Sequence, residues 1–196
     1  VLPRKGYFLW EKQHRCSSAM SNRFLNFENR YQAKSDTNLS KLGMLYTKKM
    51  KQIKDIKIAI IFSSYRPEVT DNLLKNCIDT LYEKELTKKQ IDIIKVPGAL
   101  EIPLVSKKLA QKKIYDAIIV FGAVYKGKTY HFEQVANECV RGCMNVSYDY
   151  EIPVIFEVLC VYDQKDAIER AKGTEDNRGI EGALTALRMI ELLPKL

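Results

Sequence analysis

From residue 56 onward the chain alternates two kinds of apolar pattern. Short runs, I-K-I-A-I-I-F (56–62), I-D-I-I-K-V-P (91–97), D-A-I-I-V-F (116–121) and P-V-I-F-E-V-L (153–159), read as buried strands. Between them lie one-sided stripes. Val69, Leu73, Leu74, Cys77, Ile78, Leu81 and Tyr82 recur at helical spacing behind Pro67, a residue suited to the first turn of a helix. Further helices are predicted over 100–111, where Pro103 is tolerable in the first turn, and over 131–148, 163–172 and 179–193. Strands alternating with helices call for an α/β fold of three layers, a four-stranded parallel sheet covered on both faces. Ligands of such sheets sit beyond the carboxyl ends of the strands. Those ends are expected at 63–66, 98–101, 122–130 and 156–160.

The third of these units carries the most chemistry. Its strand is followed by G-A-V-Y-K-G-K-T-Y and then by an amphipathic helix opening on His131, one of two histidines in 196 residues. A helix N-terminus presents unpaired N–H groups and binds anions. His131 would stand within a turn of that site, a titratable base beside an anion pocket. Residues 122–129 also fit G-x-x-x-x-G-K-[ST], with a strand before and a helix after, as a P-loop requires. P-V-I-F-E even ends an apolar run on an acid, as a magnesium-binding strand does. A nucleotide-binding protein is therefore a competing reading. It leaves V-P-G-A-L-E-I-P (96–103) and D-A-I-E-R-A (166–171) unexplained.

Composition narrows the partners. With 46% hydrophobic residues the chain can bury a sizeable core, and its length favours one domain with an appendage. No apolar run approaches the roughly 18 residues of a membrane span, so a soluble protein with no membrane partner is expected. Five widely spaced cysteines suit a reducing compartment rather than a disulfide framework. Cys139 and Cys143, four apart on a predicted helix, are expected to be small core residues rather than metal ligands, since no further Cys or His lies at zinc-like spacing. The net charge of +8 is unevenly spread: residues 1–50 hold ten Lys or Arg against three acids, leaving +1 for residues 51–196. Nucleic acid is thus not an expected partner of the domain at 51–196. The basic leader at 1–50 mixes Arg, Lys and Ser without sustained periodicity, the composition of an organellar, plastid-type targeting segment. A plain basic tail on a cytoplasmic protein is the alternative, and a nucleic-acid arm a further one, because Trp10, Phe24 and Phe27 interleave with the charges.

V-P-G-A-L-E-I-P (96–103), F-G-A-V-Y-K-G-K-T-Y-H-F-E (121–133), I-P-V-I-F (152–156) and D-A-I-E-R-A (166–171) occur in the order, and near the spacing, of lumazine synthase, so the chain resembles that family from about residue 56 to 193. The resemblance implies a flavodoxin-like fold and the penultimate reaction of riboflavin synthesis, without metal or organic cofactor. The reaction joins 5-amino-6-(D-ribitylamino)uracil to 3,4-dihydroxy-2-butanone 4-phosphate and releases phosphate and water. It further implies that Tyr65 stacks on the pyrimidine, that Ala99, Leu100 and Glu101 hold the ribityl chain, and that Ala123, Val124 and Tyr125 read the pyrimidine edge. Lys128 and Thr129 would bind the butanone phosphate with help from Arg170. Phe156 would close the pocket from a neighbouring subunit, Arg178 would touch substrate where many members have Lys, and His131 would be the catalytic histidine. Other departures are Tyr65 for the more usual Phe or Trp, Leu100 for a frequent aromatic, and Glu157 for a small residue. The expected partners are the two small substrates and further copies of the chain, as a pentamer or a sixty-subunit shell, and the alternative to an enzyme within this resemblance is a non-catalytic shell-forming or flavin-like ligand-binding homologue.

Overall fold

Four parallel strands in the order β2-β1-β3-β4 form the centre of the computed structural model of the chain. They are β1 (Ile58–Ser63), β2 (Ile91–Val96), β3 (Ala117–Tyr125) and β4 (Val154–Val161). Helices follow each of them: α1 (Pro67–Glu83) after β1, α2 (Ile102–Gln111) after β2, α3 (His131–Tyr150) after β3, and α4 (Gln164–Lys172) with α5 (Arg178–Leu192) after β4. The structure describes residues 51–172 and 176–196. The basic leader, and the targeting role expected of it, lie outside the described residues. Among those residues no helix is long and apolar enough to cross a membrane.

Alternation of side chains divides the strands between two cores. Ile58, Ile60 and Phe62 of β1 join Ile119 and Phe121 of β3 under α1, α4 and α5. Ala59 and Ile61 join Ile118 and Val120 under α2 and α3. All six residues of β1 are buried, as a strand covered on both faces must be, and each of its isoleucines contributes roughly 1.5–3 kcal/mol by leaving water. Cys139 and Cys143 are fully buried on the inner face of α3, where they fill the second core as small residues.

Two strands run past their expected ends. β3 continues through Gly122 to Tyr125, paired with β4 from Ile118↔Val154 to Tyr125↔Val161. Half of the expected glycine-flanked loop is therefore strand, and the connecting loop begins only at Lys126, whose N–H still donates to the Val161 carbonyl at 2.9 Å. No P-loop can form over 122–129, because its first glycine lies in the sheet with its Cα position facing Val158: a Cβ there would come within 3.0 Å of Val158 Cγ1. Phe156 and Glu157, expected at the end of β4, are in its middle for the same reason: Glu157 pairs with Phe121.

The remaining contacts fix the helices. Asn177 caps α5, its Oδ1 accepting from the N–H groups of Gly179 (2.9 Å) and Ile180 (3.2 Å). Its Nδ2 donates to the Ala171 carbonyl at 3.1 Å, which ties the end of α4 to the start of α5. Small residues let α5 approach its neighbours. Gly179 lies against α1, where a Cβ would fall 2.4 Å from the Leu73 carbonyl oxygen, and Gly182 lies against β4, where a Cβ would fall 3.1 Å from Glu157 Cγ. Glu157 thus points at α5. There burial pushes its carboxyl up to about 7, while Arg178 opposes the shift and Glu181 adds to it.

Gly179→Ala is expected to destabilise the protein by about 1–3 kcal/mol, since backbone and not a flexible side chain must move, read as a lower urea midpoint at unchanged m. Glu157 binds its proton more tightly folded than unfolded, because its value rises from 4.5 to about 7. Its contribution to stability is therefore complete below about pH 4.5 and is lost as pH rises through about 7. Glu157→Gln should flatten the decline in urea midpoint between pH 5 and 8 relative to the parent; parallel declines would refute this account.

Candidate active site

The carboxyl ends of β1, β2 and β3 meet over a cleft of about 390 Å³. Each wall has a local cause. After β1, the Ser64 N–H donates to the Val96 carbonyl (2.8 Å) and its hydroxyl to the Pro97 carbonyl (3.0 Å), so the turn carrying Tyr65 and Arg66 is fastened to the end of β2. Tyr65 is left 69% exposed and lines the cleft. After β2, Gly98 opens a 3-10 turn, Ala99–Glu101, that leads into α2. A Cβ on Gly98 would sit 2.9 Å from Glu101 Oε2 and 3.9 Å from Tyr65 Cδ2, so the carboxylate folds back over the glycine beside the tyrosine. Ala99 is buried and Leu100 exposed.

The third wall is the end of β3 and the start of α3. Ala123, Val124 and Tyr125 line the cleft as strand residues, and His131 lines it as the first residue of α3. No side chain caps that helix, which leaves N–H groups of its first turn to a ligand. The preceding loop is steadied by Lys126, whose ammonium pairs with Glu133 and lies 5.2 Å from the Phe132 ring centroid.

Arg66 lies within the expected strand end at 63–66, but two contacts at the cleft were not expected from sequence, its stacking on Tyr125 and the bond from Tyr125 to Glu68. Arg66 lines the cleft, with its guanidinium carbon 4.4 Å from the Tyr125 ring centroid. The Tyr125 hydroxyl makes a long 3.4 Å hydrogen bond to Glu68 Oε1, and its acidity is lowered by burial first and by the Glu68 charge second, so the phenol stays protonated. Arg66 also has φ 58° and ψ 57°, a left-handed conformation costly for a residue with a Cβ. Only its position directly before a proline at the start of a helix hinted at unusual backbone.

Five of the expected residues lie outside this cleft lining. Lys128 and Thr129 are exposed on the loop before α3. Phe156 is half-buried on β4, packed against the core under α2 and α3. Arg170 is on α4, and Arg178 opens α5 with its Nη1 2.6 Å from Glu181 Oε2. None of the five joins the cleft lining within one chain: Lys128 and Thr129 are on the exposed loop between β3 and α3, Phe156 is on the edge strand β4, which β3 separates from β1, and Arg170 and Arg178 are on the helices that follow β4.

A larger cavity, about 600 Å³, lies at the opposite rim where the strands begin, beside the 2.6 Å ion pair of Lys51 and Asp116. It lacks the features of a reaction site in this fold, where chemistry gathers at the carboxyl ends. The smaller cleft has a flat aromatic, a carboxylate, a guanidinium and an imidazole on three converging turns.

That set of groups, borne on the motifs around 96–103 and 121–133, finds its counterpart among known proteins. A family model for 6,7-dimethyl-8-ribityllumazine synthase matches residues 55–194, which is nearly all of the described fold, and the chain belongs to the 6,7-dimethyl-8-ribityllumazine synthase family.

Proposed function

We propose that this chain condenses 5-amino-6-(D-ribitylamino)uracil with 3,4-dihydroxy-2-butanone 4-phosphate to 6,7-dimethyl-8-ribityllumazine, releasing phosphate and water. The observation that carries the reading is the convergence of Tyr65, Glu101, the β3 end at Ala123–Tyr125 and His131 in one cleft, on a chain of this family. Each group suits a part of the task. The Tyr65 ring offers a stacking face for a pyrimidine. Glu101 accepts hydrogen bonds from ribityl hydroxyls. The extended backbone at Ala123–Tyr125 offers donors and acceptors along a pyrimidine edge.

Imine formation, phosphate elimination and ring closure each move protons. His131, exposed at the cleft and next to the free N–H groups of α3, serves as the base and acid for them. Lys128 and Thr129 bind phosphate through the loop before the helix, and Lys128 does so mainly through its backbone N–H. Assembly into a pentamer-like ring accounts for the residues outside the cleft. Phe156, on the edge strand β4, and Arg170 and Arg178 on the helices beyond it complete the cleft of a neighbouring copy.

Mixing the protein with both substrates and following lumazine absorbance tests the reaction directly. His131→Ala should lower kcat by roughly 10²–10⁴-fold, the usual worth of a positioned acid-base group, while Lys128→Ala should weaken turnover only modestly. No product at protein concentrations near those of substrate would sink the enzyme reading. Near-total loss on Lys128→Ala would overturn the role given to that residue.

A further inference from the structure

We infer that Arg66 is a phosphate-binding residue of the cleft, an assignment that rests on the synthase reading and adds to it a cation supplied by the same chain as His131. Of the arginines among the described residues, Arg66, Arg141, Arg170, Arg178 and Arg188, Arg66 alone lines the cleft. Arg141 and Arg178 are engaged by Glu138 and Glu181. The Arg66 guanidinium has no hydrogen-bonded or ion-paired partner among the described residues; its one side-chain contact of note is the Tyr125 ring, 4.4 Å away. Stacking holds a guanidinium in place while leaving its N–H groups to a ligand.

The platform beneath it is itself restrained. Tyr125 continues β3 in register with Val161, and its hydroxyl reaches Glu68, the carboxylate nearest in sequence to Arg66, so that this acid is directed to the phenol. The backbone of Arg66 is held in its left-handed conformation by three hydrogen bonds to its carbonyl oxygen: from the Val69 N–H (2.9 Å), the Thr70 N–H (3.1 Å) and the Thr70 hydroxyl (3.3 Å). A strained residue fixed from several sides, with an unpartnered charge in a cleft, is an arrangement that serves a ligand better than it serves stability. The ligand is an anion by the charge of the group. Between the two substrates phosphate is the anionic group, and His131 with the open N-terminus of α3 lines the same cleft. Guanidinium and helix N–H groups together give phosphate donors of fixed geometry.

Asparagine tolerates a left-handed backbone, so Arg66→Asn removes the charge with little penalty to the turn. The experiment uses the full chain at constant ionic strength, with Arg188→Asn, an exposed site on α5, as the control for net charge. Inorganic phosphate binding is measured by calorimetry, and KM for each substrate by lumazine absorbance. Arg66→Asn should weaken inorganic phosphate binding about tenfold or more, the effect of losing a charge-assisted hydrogen bond. It should raise KM for the butanone phosphate similarly and leave KM for the aminouracil within about twofold. Arg66→Lys should fall between parent and Arg66→Asn, and Arg188→Asn should match the parent. Equal phosphate affinity in parent and Arg66→Asn, no phosphate binding by the parent, or a rise confined to the aminouracil KM would each overturn the assignment. If no lumazine forms with the parent, the synthase reading fails by itself and the phosphate measurement still decides the role of Arg66.

Discussion

The pairing of β1 with β3 at the centre of the sheet is the constraint on which the rest depends. The chain leaves β1 through α1 on one face and leaves β3 through α3 on the other. Adjacent strands whose following helices depart to opposite faces must leave a crevice between them at their carboxyl ends. β2, paired to the other side of β1 from Ile58↔Ile91 to Ser63↔Val96, brings its own turn to the same place. Tyr65, Glu101 and His131, scattered over more than sixty positions of sequence, meet there for this topological reason.

Close packing of α5 is the second requirement. Gly179 lets that helix meet the backbone of α1, Gly182 lets it close on side chains of β3 and β4, and Ala183 and Ala186 continue the small surface over the sheet. The same smallness makes room for Glu157. This acid, in the middle of an edge strand, is turned toward α5, among Arg178, Glu181 and the Cys77 thiol, which burial pushes well up. Its cost falls on stability and on pH response rather than on the electrostatics of the cleft.

Within the cleft the charges are sparse and separated. Glu101 stands beside Tyr65 and Gly98, and Arg66 stands over Tyr125. The neighbouring Lys126 is neutralised by Glu133. Carboxylate and guanidinium thus stand beside different tyrosines of one cleft, Tyr65 and Tyr125. The formal charge of the whole chain says nothing of this, since most of it lies in the leader.

Sequence by itself determined the number, type and order of the strands and helices, because the strands are short continuous apolar runs, fully buried in β1 and only partly so in the edge strand β2, whereas each helix buries one stripe, and those two patterns leave different periods. It also determined that His131 opens a helix after a buried strand, since one chain segment contains the whole unit. It misjudged where β3 and β4 stop, because their last residues are extended only by virtue of pairing with each other, from Gly122↔Val158 to Tyr125↔Val161, and pairing leaves no mark on either strand alone. That mutual extension turned an apparent P-loop into sheet. Arg66 falls in the strand end expected at 63–66, but its strain and stacking were not legible: the strain comes from the helix it caps and the stacking from a tyrosine nearly sixty residues away. The face toward which Glu157 points was decided by the two-residue repeat of β4 together with a glycine on α5. Periodicity is a local property readable from order along the chain, whereas pairing, stacking and the choice of face are set by which distant segments occupy the space beside it.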